Sequence, residues 1–227
     1  FGVWLEQVME SGNMRPADIT ASIIATVVPA TLFSLKSLCR EYFDSDPLIV
    51  GEDGVDLGLK ILIDRADDVG ADRLVNAIAA HQKYGGPLIV VDFGTTTCVD
   101  VVSARGEFLG GAIAPGLEVS AAAMSSRSAA LREVELVRPR SVLGKNTVEA
   151  MQAGAVFGFA GLVDGLVGRL RRELPEADSK DVAVIGTGES AQLIMAESTS
   201  IDHHEPELTL EGLRLVYERN LAKRRAR

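Results

Sequence analysis

The sequence predicts an α/β protein of two related lobes facing each other across a cleft. Three observations predict it. Segments patterned as strands and as helices alternate through both halves of the 227 residues. A breaker cluster, Tyr84-Gly85-Gly86-Pro87, separates the halves, giving a first lobe over residues 1–86 and a second over 87–227 with a final helix. The second half opens on three strands joined by short turns, and hydrophobic residues make up 47% of the chain, enough for sizeable cores.

The elements follow in order. Phe1, Trp4, Leu5, Val8 and Met9 recur at helical spacing, so a helix is expected over 1–11. Nothing before Phe1 could cap it and there is no initiator Met, so residues are expected upstream. ITASIIATVV (19–28) reads as a strand. Pro29 suits a first helical turn, and Leu32, Leu35, Leu38, Cys39 and Tyr42 share one face of the helix it opens. PLIV (47–50) is a short strand, followed by a Gly- and Asp-rich loop to about residue 65. A helix follows over roughly 68–83. Strands at 87–93, 97–103 and 107–114 form a meander, with Arg105-Gly106 in its second turn.

Helices at 117–130 and 147–173, a buried strand at 182–188 and a last helix at 209–223 complete the chain. The 147–173 helix carries Gly154, Gly158, Gly161 and Gly165 on one face. Each lowers helix propensity by up to ~1 kcal/mol against alanine, so close approach of another helix is expected, from within the chain or from a second copy.

Charge and cysteine content exclude several function classes. A net charge of −9 and a pI near 4.9 argue against nucleic acid or an anionic membrane as partner. The one dense basic run, residues 223–227, reads as a helix end, where cations suit the dipole. Cys39 and Cys98 are too few and too distant for a disulfide framework or a zinc site and read as reduced core residues. No apolar run approaches the ~18 residues of a membrane span, and no signal peptide is visible. His203-His204, with Asp202 and Glu205, reads as a polar loop rather than a metal site, and His81 as a solvated helix residue.

Four stretches carry candidate chemistry. Asp92-Phe93-Gly94-Thr95-Thr96-Thr97 sets a carboxylate at a strand end, then hydroxyls and backbone N–H groups in a turn. Phosphate needs such donors, and a nearby carboxylate can hold the cation that neutralises it; an ordinary hairpin is the alternative. Asp72 and Arg73, in VGADRLVNA (69–77), open a helix of apolar and small residues. A carboxylate there can accept a hydroxyl proton while a guanidinium binds an anion, or both can simply be solvated helix-end charges. Gly144-Lys145-Asn146-Thr147 heads the glycine-faced helix and supplies an N-cap. Ile185-Gly186-Thr187-Gly188-Glu189-Ser190 runs from a strand into a glycine turn of the kind that suits a nucleotide.

In this order the stretches resemble the type III pantothenate kinases of the acetate-kinase, sugar-kinase and actin-like superfamily. The matching pieces are VGADRLVNA, PLIVVDFGTTTCVDVV, GEFLGGAIAPGLE, VRPRSVLGKNTVEAMQAG, GLVDGL and HHEPELTLEGLRLVYERN, which span essentially the whole chain. The resemblance implies a two-lobed actin-like, ribonuclease H-like ATPase fold and a cytoplasmic homodimeric transferase. It implies phosphorylation of pantothenate by Mg-ATP to 4'-phosphopantothenate, the first step of coenzyme A biosynthesis, with a monovalent cation, K+ or NH4+. Carried over residue by residue, Asp72 is the general base. Gly70, Ala71, Arg73 and Thr147 line pantothenate, Asp92 sits at the cation site, and Thr95, flanked by Gly94 and Thr96, meets the ATP phosphates.

The departures are also specific. The family's first strand, with its D-x-G-N-T phosphate loop, has no counterpart here, so the first lobe is expected to be incomplete and the chain as given inactive. Ile63 stands in place of a tyrosine, Ala66 and Arg132 in place of prolines, and Gly188-Glu189 in place of a glycine pair. The alternative expectation is a degenerate relative that acts as a binding or regulatory accessory factor.

Overall fold

The computed structural model describes residues 2–127, 133–174 and 182–225. In chain order the elements are α1 (Gly2–Ser11), β1 (Ile23–Ile24), α2 (Pro29–Phe43), β2 (Leu48–Ile49), β3 (Lys60–Ile61) and α3 (Ala71–Tyr84). Then come β4 (Leu88–Phe93), β5 (Thr96–Val102), β6 (Glu107–Pro115), α4 (Leu117–Arg127) and α5 (Thr147–Glu173). β7 (Ala183–Thr187), α6 (Ala191–Met195), β8 (His203–His204) and α7 (Leu208–Arg225) complete the fold.

The main sheet has the order β3-β6-β5-β4-β7-β8. β4, β5 and β6 are antiparallel neighbours, while β7 runs parallel to β4 and β8 parallel to β7. Counting from β4, the strands lie third, second, first, fourth, fifth, with only the second reversed. This is the ribonuclease H-like arrangement expected of an actin-like ATPase lobe. A helix layer covers each face. Ile89, Val91, Phe93, Val99 and Val101 meet α5 through Ala160, Val163 and Val167. Leu88, Val90, Val102 and Phe108 meet α3 through Leu74 and Ala77, with Leu208 of α7. The two faces use alternate residues of the same strands, as the pleat requires.

Several expectations are corrected. The strand expected over 19–28 is reduced to Ile23–Ile24, because its only partner, β2, offers two residues. Beyond it the Thr26 hydroxyl accepts from Val28 N at 3.1 Å, a side-chain turn that leads into α2. The loop expected to reach residue 65 contains β3, which pairs with Glu107 and Phe108. The pair His203-His204 is a short edge strand beside β7 rather than a loop. His81 is half-buried, with its Nε2 3.4 Å from Ala104 O. The end of the helix expected over 117–130 lies outside the described residues, as do Arg132 and the last two residues of the basic run.

The helix expected over 147–173 is found with those bounds. Asn146 caps it, its side chain accepting from Glu149 N at 2.9 Å. By length and composition α5 could cross a membrane, which corrects the expectation of no such run. Glycines and Asp164 hide this in the linear sequence, and in the fold Val156, Ala160, Val163 and Val167 are buried. Side chains added at Gly154, Gly158 or Gly161 would meet nothing within 4 Å. Packing within the chain therefore does not account for these glycines among the described residues. Cys39 and Cys98 are free and buried, as expected.

Candidate functional site

The site is assembled where β4 ends and α3 begins. β4 is hydrogen-bonded on both sides, so its residues are buried. Asp92, near its end, pairs with Cys98 of β5 and Thr187 of β7. Its alternation places it on the α3 side with Val90, where Asn76 Nδ2 donates to Asp92 Oδ2 at 2.9 Å. Burial, and then the nearby Asp72 charge, push the Asp92 carboxyl up to about 6, against the opposing effect of the Asn76 bond.

The turn after Asp92 shows what the threonine triplet does. Gly94 N donates to Thr96 O at 3.1 Å, and Gly116 N donates to Thr95 O at 2.9 Å. Gly94, Thr95 and Thr96 are exposed, whereas Thr97 is buried and its hydroxyl donates to Pro115 O at 3.3 Å. Two threonines are thus available to a ligand and one ties the turn to β6. A Cβ at Gly116 would stand 2.2 Å from Gly94 O, so only glycine lets the start of α4 lie against this turn.

A second turn lies on the first. After Thr187, Gly188 adopts φ +95, and a Cβ there would be 2.7 Å from both Asp92 Oδ1 and Phe93 N. Ser190 N donates to Phe93 O at 3.3 Å, fixing the two turns together. Glu189 is exposed, so it places no buried negative charge beside them.

α3 supplies the rest. Gly70 is its N-cap residue, and Asp72 Oδ1 accepts from Arg73 N at 2.9 Å. The Arg73 guanidinium turns to Asp100: Nε donates to both carboxylate oxygens at 3.1 Å, Nη2 donates to Oδ1, and the group lies 5.5 Å over the Phe108 ring. Asp100 is 2% exposed. Burial pushes its carboxyl above the usual range, and Arg73 opposes that. Three carboxylates therefore share one small region with a single guanidinium.

Gly70, Ala71, Asp72, Arg73 and Asp92 come together as expected, with the exposed Gly94, Thr95 and Thr96 at the adjoining turn. Thr147 lines a different feature, an apolar cavity of about 490 Å³ between α4 and α5, with Leu117, Met124, Gly154 and Phe159. Ile63 lies beside Gly110 of β6, and Ala66 begins a 3-10 turn. Sequence reasoning missed Asn76 and Asp100. The signal for both is a polar side chain inside an apolar run, in LVNA and in CVDVV, since a buried polar group needs a partner.

No group of three or more His, Cys, Asp or Glu that could hold a metal ion occurs among the described residues. One or two carboxylates beside glycine turns with exposed hydroxyls would fit instead a cation held mainly by a ligand's oxygens and water.

Comparison with known proteins places these features in a family. A family model described as type III pantothenate kinase matches residues 1–169. The type III pantothenate kinase of Rhodococcus opacus (strain B4) is 62% identical over 210 residues, 92% of this chain and 78% of that protein. The type III pantothenate kinase of Mycobacterium avium (strain 104) is 54% identical over 209 residues, 92% of this chain and 77% of that one. Among solved structures, a conserved putative Baf family transcriptional activator from Campylobacter jejuni superposes with a TM-score of 0.60 at 18% identity, covering 91% of this chain and 87% of that one. That last likeness is one of fold.

Proposed function

The chain belongs to the type III pantothenate kinase family and is a kinase of pantothenate, and from that premise we propose how its residues divide the reaction. Asp72 is the general base. The pantothenate 4'-hydroxyl oxygen attacks the γ-phosphorus of ATP and its proton passes to the Asp72 carboxylate. The bond from the γ-phosphorus to the β–γ bridging oxygen breaks, and ADP leaves with that oxygen. The observation that carries this reading is that α3, with Asp72 in its first turn, reaches Asp92 through Asn76 where two glycine turns abut.

Thr95 and Thr96 meet the phosphates through their exposed hydroxyls, beside the exposed Gly94, whose own N–H is taken by Thr96 O. Gly70, Ala71 and Arg73 line pantothenate, with Asp100 holding Arg73. Asp92 would help hold the cations that accompany the nucleotide, Mg2+ and K+ or NH4+, which would supply neutralisation of the charge on the phosphates. A cation there also offsets the mutual repulsion of Asp72 and Asp92. Asp72→Asn tests the assignment: turnover should fall while nucleotide affinity, read by calorimetry, stays. Near-normal turnover removes Asp72 from the role.

The protein works as a cytoplasmic homodimer joined along α5. Supporting this are the open glycines at 154, 158 and 161 and the adjoining α4–α5 cavity lined by Thr147, which a second copy would complete. Gly158→Leu should release monomers in sedimentation. A wild type that is monomeric at tens of micromolar overturns the dimer.

A further inference from the structure

The side-chain amide of Asn76 is gripped at both ends. Its Nδ2 donates to Asp92 Oδ2, and its Oδ1 accepts from the Thr209 hydroxyl at 2.7 Å, across 133 positions of sequence. Asn76 is 1% exposed, so bulk water cannot stand in for either partner. Thr209 lies in the first turn of α7 and is itself half-buried. α7 reaches α3 by close approach, since a Cβ at Gly212 would stand 2.1 Å from Val75 O. The amide is thus tied to a helix that holds no residue of the reaction assigned above.

We propose that Thr209 is a positioning residue for phosphoryl transfer, which through Asn76 holds the Asp92 carboxylate in its cation-facing orientation. The physical reason is selection between two amide orientations of nearly equal shape. An ionised Asp92 accepts from Asn76 only with Nδ2 turned to it, which leaves Oδ1 buried on the far side. The Thr209 hydroxyl satisfies that oxygen. Without it the orientation that serves Asp92 strands a buried acceptor, and the amide is driven to seek other partners. Asp92 then loses the Asn76 donor. The charged and titratable groups that remain around it are the Asp72 carboxylate from α3 and, from β5, Cys98 and Asp100 with its Arg73 partner. Without the bond that sets the orientation of Asp92, binding of the nucleotide with its cations should weaken.

This inference rests on the role of Asp92 proposed above, and the test separates the two. Affinities for Mg-ATP and for pantothenate, by calorimetry, and kcat at a single pH are measured for the wild type, Thr209→Val, Thr209→Ser and Asp92→Asn, each verified as folded by thermal melting. Thr209→Val keeps the shape and loses the hydroxyl; should it fail to fold, Thr209→Ala at this half-buried position makes the same comparison. The expected result is Mg-ATP binding weakened roughly tenfold in Thr209→Val with pantothenate binding unchanged, and Thr209→Ser at the wild-type values. A purely structural role would weaken both ligands alike and would overturn the inference, as would unchanged Mg-ATP binding or a Ser variant impaired as far as Val. Full activity in Asp92→Asn would overturn the role of Asp92 itself. An inactive Asp92→Asn beside an unmoved Thr209→Val would overturn only the part given to Thr209.

Discussion

On the side of α5, β4 and β5 present Ile89, Val91, Phe93, Val99 and Val101, all buried and all apolar. On the side of α3 the same strands present Leu88, Val90 and Val102 at one end and Asp92, Cys98 and Asp100 toward the other. One face is uniform and the other is graded from core to site. The difference teaches that the site is not an appendage to the sheet. It uses alternate residues of the strands that build the core, so a one-residue slip of register would exchange carboxylates for valines. It also follows that the faces should respond differently to substitution, one in stability and the other in chemistry.

The sharpest separation is expected from Asp72→Asn. Loss of a general base typically lowers turnover ~10²–10⁴-fold, and the melting temperature should barely move, because among the described residues its carboxylate accepts only a local hydrogen bond, from Arg73 N. A large drop in melting temperature would break the comparison from the site side.

Asp100→Ala should blur it. Asp100 belongs to the site face, yet it and Arg73 form a largely buried ion pair. Removing one partner leaves the other charge unpaired, typically about 3–5 kcal/mol, so chemical denaturation should show a loss of that order along with weaker pantothenate binding. On the opposite face, Ile89→Ala removes buried volume at a site with no exposure and should destabilise by about 2–5 kcal/mol. The folded fraction should keep its kcat; a fall beyond twofold would show that the core face reaches into the chemistry.

The smallest effect has the opposite sign. The Asp92 carboxyl titrates at about 6 rather than 3.8, so ionising it in the fold opposes stability. That cost is absent below pH 3.8 and fully present above pH 6. Asp92→Asn, which has nothing to ionise, should therefore stabilise the ligand-free protein at pH 8 by roughly 3 kcal/mol at most, with the gain vanishing towards pH 4, while activity is lost. Equal melting temperatures for the two proteins at pH 8 would show that Asp92 is not strained by its surroundings.

Much of the fold was legible because long periodic segments decide themselves. α5 has 27 residues, a capping Asn146 and a sustained apolar stripe, and both its bounds were readable. The β4–β5–β6 meander was readable from its turns. Short strands were not: ITASIIATVV has a strand's composition, but pairing with β2 decides its length, and β3 is two residues in a polar context. The candidate site divides in the same way. Asp72, Arg73 and Asp92 stand in compact local motifs, whereas the joining of Asn76 to Thr209 depends on a helix contact that no local pattern encodes.

The crossing of α7 over α3 also has a consequence in time. A ribosome adding about 5–20 residues per second needs on the order of ten seconds to pass from the Asn76 codon to those of α7. Until then the strip of α3 around Val75 and Asn76 lacks the cover of α7, and β4 lacks β7 along one edge. The growing polypeptide must carry that sticky, half-wired surface through crowded surroundings until α7 closes it. Ribosome-bound chains halted before residue 208 should accordingly be held by chaperones, and those halted with α7 outside the exit tunnel should be released.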